Sequence, residues 1–159
     1  MKLIKVILAI FISVNLYASG DIDINVVAED AKKTGKISMV FFHMTHCPYC
    51  NRMLEEMYTC DDMMKLLNEK FYYLDINVND DAIITYHDFK GTAGEFAEFL
   101  DISIYPTILF IDNDEIIYYV HGYRNKAKFA WILKYVASRS IGKMDLLEFI
   151  NEEMMNSDD

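Results

Sequence analysis

The chain predicts an α/β fold, a mixed central sheet with helices on both faces. Three observations predict it. Apolar strand-like runs alternate with stretches of helical period through the first two thirds of the sequence. Two short β-type runs, 107–111 and 116–120, face each other across the turn Asp112-Asn113-Asp114-Glu115. A pair of cysteines, in Cys47-Pro48-Tyr49-Cys50, stands where a strand gives way to a helix. Strand–helix–strand order calls for parallel pairing and a tight turn for antiparallel pairing, so the sheet is mixed.

The first residues stand apart from that fold. Lys2 and Lys5 precede an almost wholly apolar run, 6–14, and small residues follow at Ala18, Ser19 and Gly20. This is the layout of a secretory signal peptide cleaved near Ala18. The run is shorter than the ~20 residues a spanning helix needs, and Ser13 and Asn15 interrupt its end. No cysteine follows it to carry a lipid anchor. The expected organisation is a signal peptide over 1–18 and one domain over 19–159, with its core in 37–138 and a C-terminal helix over 143–154. The expected compartment is the periplasm.

The elements follow in order. Asp21 or Asp23 caps a short helix that carries Val26, Val27 and Ala28 and ends near Gly35. Residues 37–42 read as a buried strand. Pro48 suits the first helical position, where its missing N–H has no intrahelical partner. The helix it opens runs to Tyr58 with Met53, Leu54 and Met57 on one face. Asp61 starts another, bearing Met63, Met64, Leu66 and Leu67. Residues 71–78 form a second strand. The segment 79–93 is polar and irregular apart from Ile83, Ile84, Tyr86 and Phe89, with room for a short hairpin. Residues 94–100 form a short helix with Phe96, Phe99 and Leu100. After the hairpin 107–120, Asn125 caps a helix through Ser138, with Phe129, Ile132, Leu133 and Val136 inward. The end, 156–159, is expected to fray. Methionines at helical spacing, among them Met53, Met57, Met63 and Met64, read as core filling.

Composition narrows the partners. Eleven Tyr, ten Phe and one Trp supply a full core. Without Lys2 and Lys5, thirteen basic residues face twenty-five acidic ones. Such a surface repels nucleic acid and anionic lipid, and no nucleic-acid partner is expected. We read no basic patch with interleaved aromatics, no Gly-rich phosphate loop and no repeat.

Cysteines three apart at a helix start can lie one turn apart, close enough to form and break a disulfide. The first sits where backbone N–H groups favour negative charge, which stabilises its thiolate. This suits thiol–disulfide exchange. Copper(I) or zinc binding is the competing chemistry, with Cys47, Cys50, Cys60, His43, His46, His87 and His121 as candidate ligands, though no second such cysteine pair exists. Cys60 is left over, as a shielded structural thiol or a resolving one. His46 precedes the pair; protonated it stabilises a neighbouring thiolate, and otherwise it is a solvated side chain.

Together these residues resemble the thioredoxin superfamily over roughly 37–138. Three parts carry the resemblance in order: the cysteine pair after the first central strand, a proline opening the third (Tyr105-Pro106-Thr107), and a glycine after the last (His121-Gly122-Tyr123). The chain is most similar to exported thioredoxin-like proteins of the bacterial sulfur-oxidation type, through the same CPYC, a Phe89-Lys90-Gly91 element and the Gly-Tyr pair. The resemblance implies the thioredoxin fold and a cis Pro106 packed beside the cysteines. Tyr105 is then expected to offer its backbone N–H and C=O to an extended substrate chain. Cys47 is expected to attack a substrate disulfide and Cys50 to resolve the mixed disulfide, with Pro48 and Tyr49 lining the entrance. No cofactor beyond the redox-active Cys47–Cys50 disulfide is implied.

Departures from the family pattern carry information. The buried carboxylate six residues before the first cysteine is Phe41 here, and the usual preceding tryptophan is His46. His43, on the same strand, is either a substitute for the carboxylate or a satisfied histidine at the strand end. Pro48-Tyr49 is the glutaredoxin dipeptide, but the Gly-Gly pair of that family is absent. The short insert 79–93 lacks the helical insertion of dedicated periplasmic oxidases. The expectation is a monomeric reductase of protein or small sulfur-compound disulfides, supplied with electrons by a membrane protein.

Overall fold

The computed structural model describes residues 20–157. The expected signal peptide and the last two residues lie outside the described residues. The element order begins with β1 (Ile22–Asp23), α1 (Ile24–Lys33), β2 (Ile37–His43), α2 (Pro48–Tyr58), α3 (Asp61–Lys70) and β3 (Phe71–Asn77). A hairpin follows, β4 (Ile83–Tyr86) and β5 (Phe89–Thr92), then α4 (Ala93–Phe99). The chain continues through β6 (Thr107–Asp112), β7 (Glu115–His121), α5 (Lys126–Ala137) and α6 (Leu146–Ser157).

Four strands make the central sheet in the order β3-β2-β6-β7. β2 runs parallel to β3 and antiparallel to β6, and β6 pairs antiparallel with β7. The sheet is therefore mixed, as the alternation of elements predicts. Its middle strand β2 is buried from Ile37 to Phe42 because both of its faces are covered. Met39 and Phe41 enter the cluster built with α2, α3, α5 and α6. Val40 and Phe42 enter the cluster on the other face, with Ile24 and Ala28 of α1 and Phe96 of α4. Strand alternation makes the same division on β6, where Ile108 and Phe110 face one cluster and Leu109 and Ile111 the other.

Local signals place the helices. Asp23 Oδ1 accepts from Asn25 N at 3.0 Å and starts α1. Thr92 and Glu95 form a reciprocal capping box at α4, so this helix starts at Ala93, one residue earlier than expected. Asn125 caps α5 through Lys128 N at 3.0 Å.

One expectation is extended and two are corrected. The insert 79–93 does hold a hairpin, but β1 joins it in parallel through β4, making a separate sheet β1-β4-β5. The last helix starts at Leu146 and not at 143, because Asp145 Oδ1 accepts from Glu148 N at 2.8 Å and caps it there. That helix continues to Ser157, so residues 156 and 157 are helical and not frayed.

Candidate active site

The turn between β2 and α2 carries the reactive pair. Cys47 and Cys50 are joined by a disulfide, with Cα atoms 5.3 Å apart. Cys47 is the N-cap of α2: its backbone is extended, and its Sγ accepts from Cys50 N at 3.2 Å. Pro48 occupies the first helical position, and Asn51 N donates to Cys47 O at 3.1 Å. The Cys50 amide of the first turn thus points at the Cys47 sulfur, which stabilises negative charge there. Cys47 is 7% exposed and Cys50 1%, so an incoming group meets Cys47 first.

The preceding loop is held from β3. Asn79 Oδ1 accepts from Thr45 N at 2.8 Å, and Asn77 Nδ2 donates to Thr45 Oγ1 at 3.1 Å. His46 takes a left-handed backbone, φ 58°, in the step before Cys47, and its side chain is exposed. His43 ends β2 with Nε2 3.0 Å from Asp75 Oδ2 on the neighbouring strand. Tyr73 donates to the other Asp75 oxygen at 3.1 Å, and burial, aided by that carboxylate, pushes its phenol far above the ordinary value. Phe41 is fully buried between them, 6.1 Å from the His43 ring and 6.4 Å from the Tyr73 ring.

The Tyr105–Pro106 peptide bond is cis, and Pro106 is buried. Gly122 N donates to Pro106 O at 2.8 Å, tying the end of β7 to the start of β6. Gly122 needs its missing side chain there, because its φ is +76°. Tyr105 packs against the cluster that contains both cysteines, and burial raises its phenol pKa. Two apolar side chains stand exposed near this end of the sheet: Tyr49 at 62% and Ile104 at 56%. Ile104 O accepts from Thr107 Oγ1 at 2.7 Å, which fixes the loop before Pro106.

A cluster that sequence reasoning missed braces the pair from the α5 side. Glu56 on α2 accepts from Tyr123 OH at 2.6 Å, from Lys126 N at 2.7 Å and from Arg52 Nε at 3.1 Å. The Tyr123 hydroxyl first, and then Arg52 and the Lys126 amide, hold the Glu56 carboxyl below the usual carboxylate range against the opposing effect of burial. The Tyr123 phenol is raised in return, chiefly by its bond to Glu56. Arg52 lies 5.0 Å from the Tyr123 ring, which is itself 6.1 Å from the Tyr49 ring. The Arg52/Glu56 spacing on one helix was the available signal; the partner Tyr123 is too distant in sequence to be read.

The remaining candidates are dispersed. Cys60 is a free, half-buried thiol past the far end of α2, whose 11 residues put about 16 Å of helix between it and Cys47. His87 Nε2 lies 3.1 Å from Asp114 O, and His121 Nδ1 lies 3.3 Å from Thr107 Oγ1. Among the described residues no three His, Cys, Asp or Glu side chains converge as metal ligands.

Comparison with known proteins agrees with this geometry. The thioredoxin-like domain family model matches residues 24–137. Among curated proteins none matches the chain. A thioredoxin-fold protein from Helicobacter pylori superposes with a TM-score of 0.65 at 18% identity, over 76% of this chain and 85% of that one. A thioredoxin from Thermus thermophilus gives 0.58 at 24% identity, over 77% and 89%. The Fasciola hepatica thioredoxin gives 0.51 at 14% identity, over 72% and 96%. These similarities are of fold.

Proposed function

The chain belongs to the thioredoxin-like family and is a thiol–disulfide oxidoreductase, and on that premise we propose that it is a periplasmic reductase of disulfides in polypeptide substrates. Cys47 is the nucleophile and Cys50 the resolving thiol. The observation that carries the reading is the disulfide at the N-terminus of α2, with Cys47 the more exposed partner.

The reduced protein presents the Cys47 thiolate to a substrate disulfide. Attack forms a Cys47–substrate disulfide and expels one substrate thiolate. Cys50, one turn deeper, then attacks Cys47 Sγ. The second substrate thiolate leaves, and the Cys47–Cys50 bond forms with the transfer of two electrons. A donor dithiol reverses these steps to regenerate the enzyme; a membrane protein relaying electrons from the cytoplasm suits an exported reductase.

Polypeptide substrates are favoured by the rim. Tyr49 and Ile104 offer exposed apolar area beside the pair, which suits a chain more than a small polar disulfide. Tyr105 N and O have no backbone partner among the described residues, so an extended segment can pair with them. The reductive direction rests on the insert: it is a short hairpin and holds no helix. The periplasmic assignment rests on the signal-like sequence of residues 1–18.

Turnover of a disulfide-bonded protein such as insulin, with dithiothreitol as donor, tests the reading. The wild type is expected to accelerate reduction, Cys47→Ser to lose all acceleration, and Cys50→Ser to accumulate a mixed disulfide through Cys47. Retained turnover in Cys47→Ser contradicts it. N-terminal sequencing of periplasmic protein, with a new terminus near Ser19, checks export.

A further inference from the structure

Charge is segregated along this chain to a degree that its net value hides. Residues 121–144 hold six of the fifteen basic residues and none of the twenty-five acidic ones. The other residues therefore carry nine basic against twenty-five acidic side chains. This corrects our reading that the chain has no basic patch with interleaved aromatics: α5 reads KAKFAWILKYVA.

The structure lays that segment beside the redox pair. Glu56 on α2 holds Lys126 N and Tyr123 OH, and the Tyr123 ring lies 6.1 Å from that of Tyr49, the residue between Pro48 and Cys50. From there α5 carries exposed Lys126, Lys128 and Lys134, with Arg124 at its approach. None of these four is ion-paired among the described residues, whereas Arg52 and Arg139 both are. Lys134 lies 4.6 Å from the Trp131 ring instead. A groove of about 170 Å³ runs between α5 and α6, lined by Arg124, Lys128, Trp131, Ile132, Leu146 and Ile150. Its lining is cationic and apolar, with no acid; Lys126 and Lys134 border a second groove, on the α3 side of α5, which also holds Asp62.

We infer that the α5 face is a docking surface for an acidic polypeptide segment flanking the reacting cysteine of a redox partner. This rests on the thiol–disulfide reading above and adds the chemistry of the partner. The segment's carboxylates meet the unpaired cations, and an apolar side chain seats in the groove between Arg124 and Lys128. Five extended residues span about 17 Å, enough to run from Tyr49 along two turns of α5. The acidic remainder of the surface repels the same segment elsewhere, so the field orients as well as attracts. A long polyanion suits the surface less, because it would also meet the acidic flanks.

Two peptides of equal length test this, each carrying one cysteine as a mixed disulfide with the same aromatic thiol. Four aspartates and a phenylalanine flank the cysteine in one, four lysines and a phenylalanine in the other. Release of the aromatic thiol by the reduced protein gives the rate. The uncharged dipyridyl disulfide is the control. At low ionic strength the acidic peptide is expected to react about tenfold faster than the basic one, with the gap closing at ~1 M salt. Lys126→Gln/Lys128→Gln/Lys134→Gln is expected to abolish the preference and leave the dipyridyl disulfide rate unchanged. If net charge alone governs, the basic peptide reacts faster, and the proposal is wrong while the redox reading stands. The proposal is equally wrong if the variant keeps the preference, or if a short oligothymidylate blocks the acidic peptide at lower concentration than the peptide's own. No reaction of the wild type with dipyridyl disulfide overturns both.

Discussion

Ser38 lies fully buried in β2, and among the described residues its Oγ has no hydrogen-bond partner. A buried hydroxyl without a partner costs desolvation and returns nothing. Ser38→Ala is therefore expected to stabilise the protein by about 1 kcal/mol in urea unfolding. A loss of stability would mean that the hydroxyl finds a partner. Glu56 works in the opposite sense. Its three donors hold its carboxyl below the ordinary value, so its contribution is complete above the unfolded carboxylate pKa and disappears as pH falls through the lower folded one. Glu56→Gln is expected to melt below wild type at pH 7, with the gap closing below about pH 4. A gap that persists in acid would assign the effect to shape and not to charge. Tyr86 shows a third case: burial first, then nearby carboxylates, push its phenol up to about 12. The stability it contributes is present below pH ~10 and is lost as pH rises towards that value.

At the scale of elements, the turn after β7 links the two halves of the site. Gly122 binds Pro106 O and precedes Tyr123, which reaches Glu56 on α2. A Cβ at Gly122 would meet only ordinary contact, Ile104 Cγ2 at 3.5 Å, so the cost of Gly122→Ala is backbone strain at φ +76°. That is about 1–2 kcal/mol. Because the strain falls on the loop that braces α2, insulin reduction is expected to slow while the fold survives. Unchanged activity would separate this loop from the site. The same elements show what a sequence reveals. The cysteine pair and the starts of α1 and α5 are legible, because a disulfide and a cap each depend on residues two to four apart. The central strands are legible too, since burial on both faces makes 37–42 apolar but for Ser38. β1 is not: two residues carry no period, and only pairing with β4 makes them a strand. The Glu56–Tyr123 bond joins residues 67 apart. The start of α6 escapes the periodicity, which extends to Lys143, while the side chain that fixes the boundary is Asp145. The basic α5 is plain in the sequence and is hidden by averaging over an acidic chain.

Across the whole molecule, the fold places a short-range switch on a rigid support. Phe41 and Phe110 of the sheet and Met53 and Met57 of α2 are all but fully buried in one cluster with Cys47 and Cys50. Burying such side chains contributes about 1.5–3 kcal/mol each, so α2 keeps its seat while the pair opens and closes. Phe41 is fully buried in that cluster with the His43 ring 6.1 Å away, and among the described residues no acidic side chain is fully buried. Direction of electron flow is set by the potential of the pair, where about 30 mV is worth ~1.4 kcal/mol. A redox titration of Cys47–Cys50 in defined thiol–disulfide buffers tests the central claim most directly. A single reversible two-electron transition with a midpoint near about −270 mV is the predicted result. A midpoint near about −120 mV contradicts the reductive direction, and no reversible two-electron transition at all contradicts the claim itself.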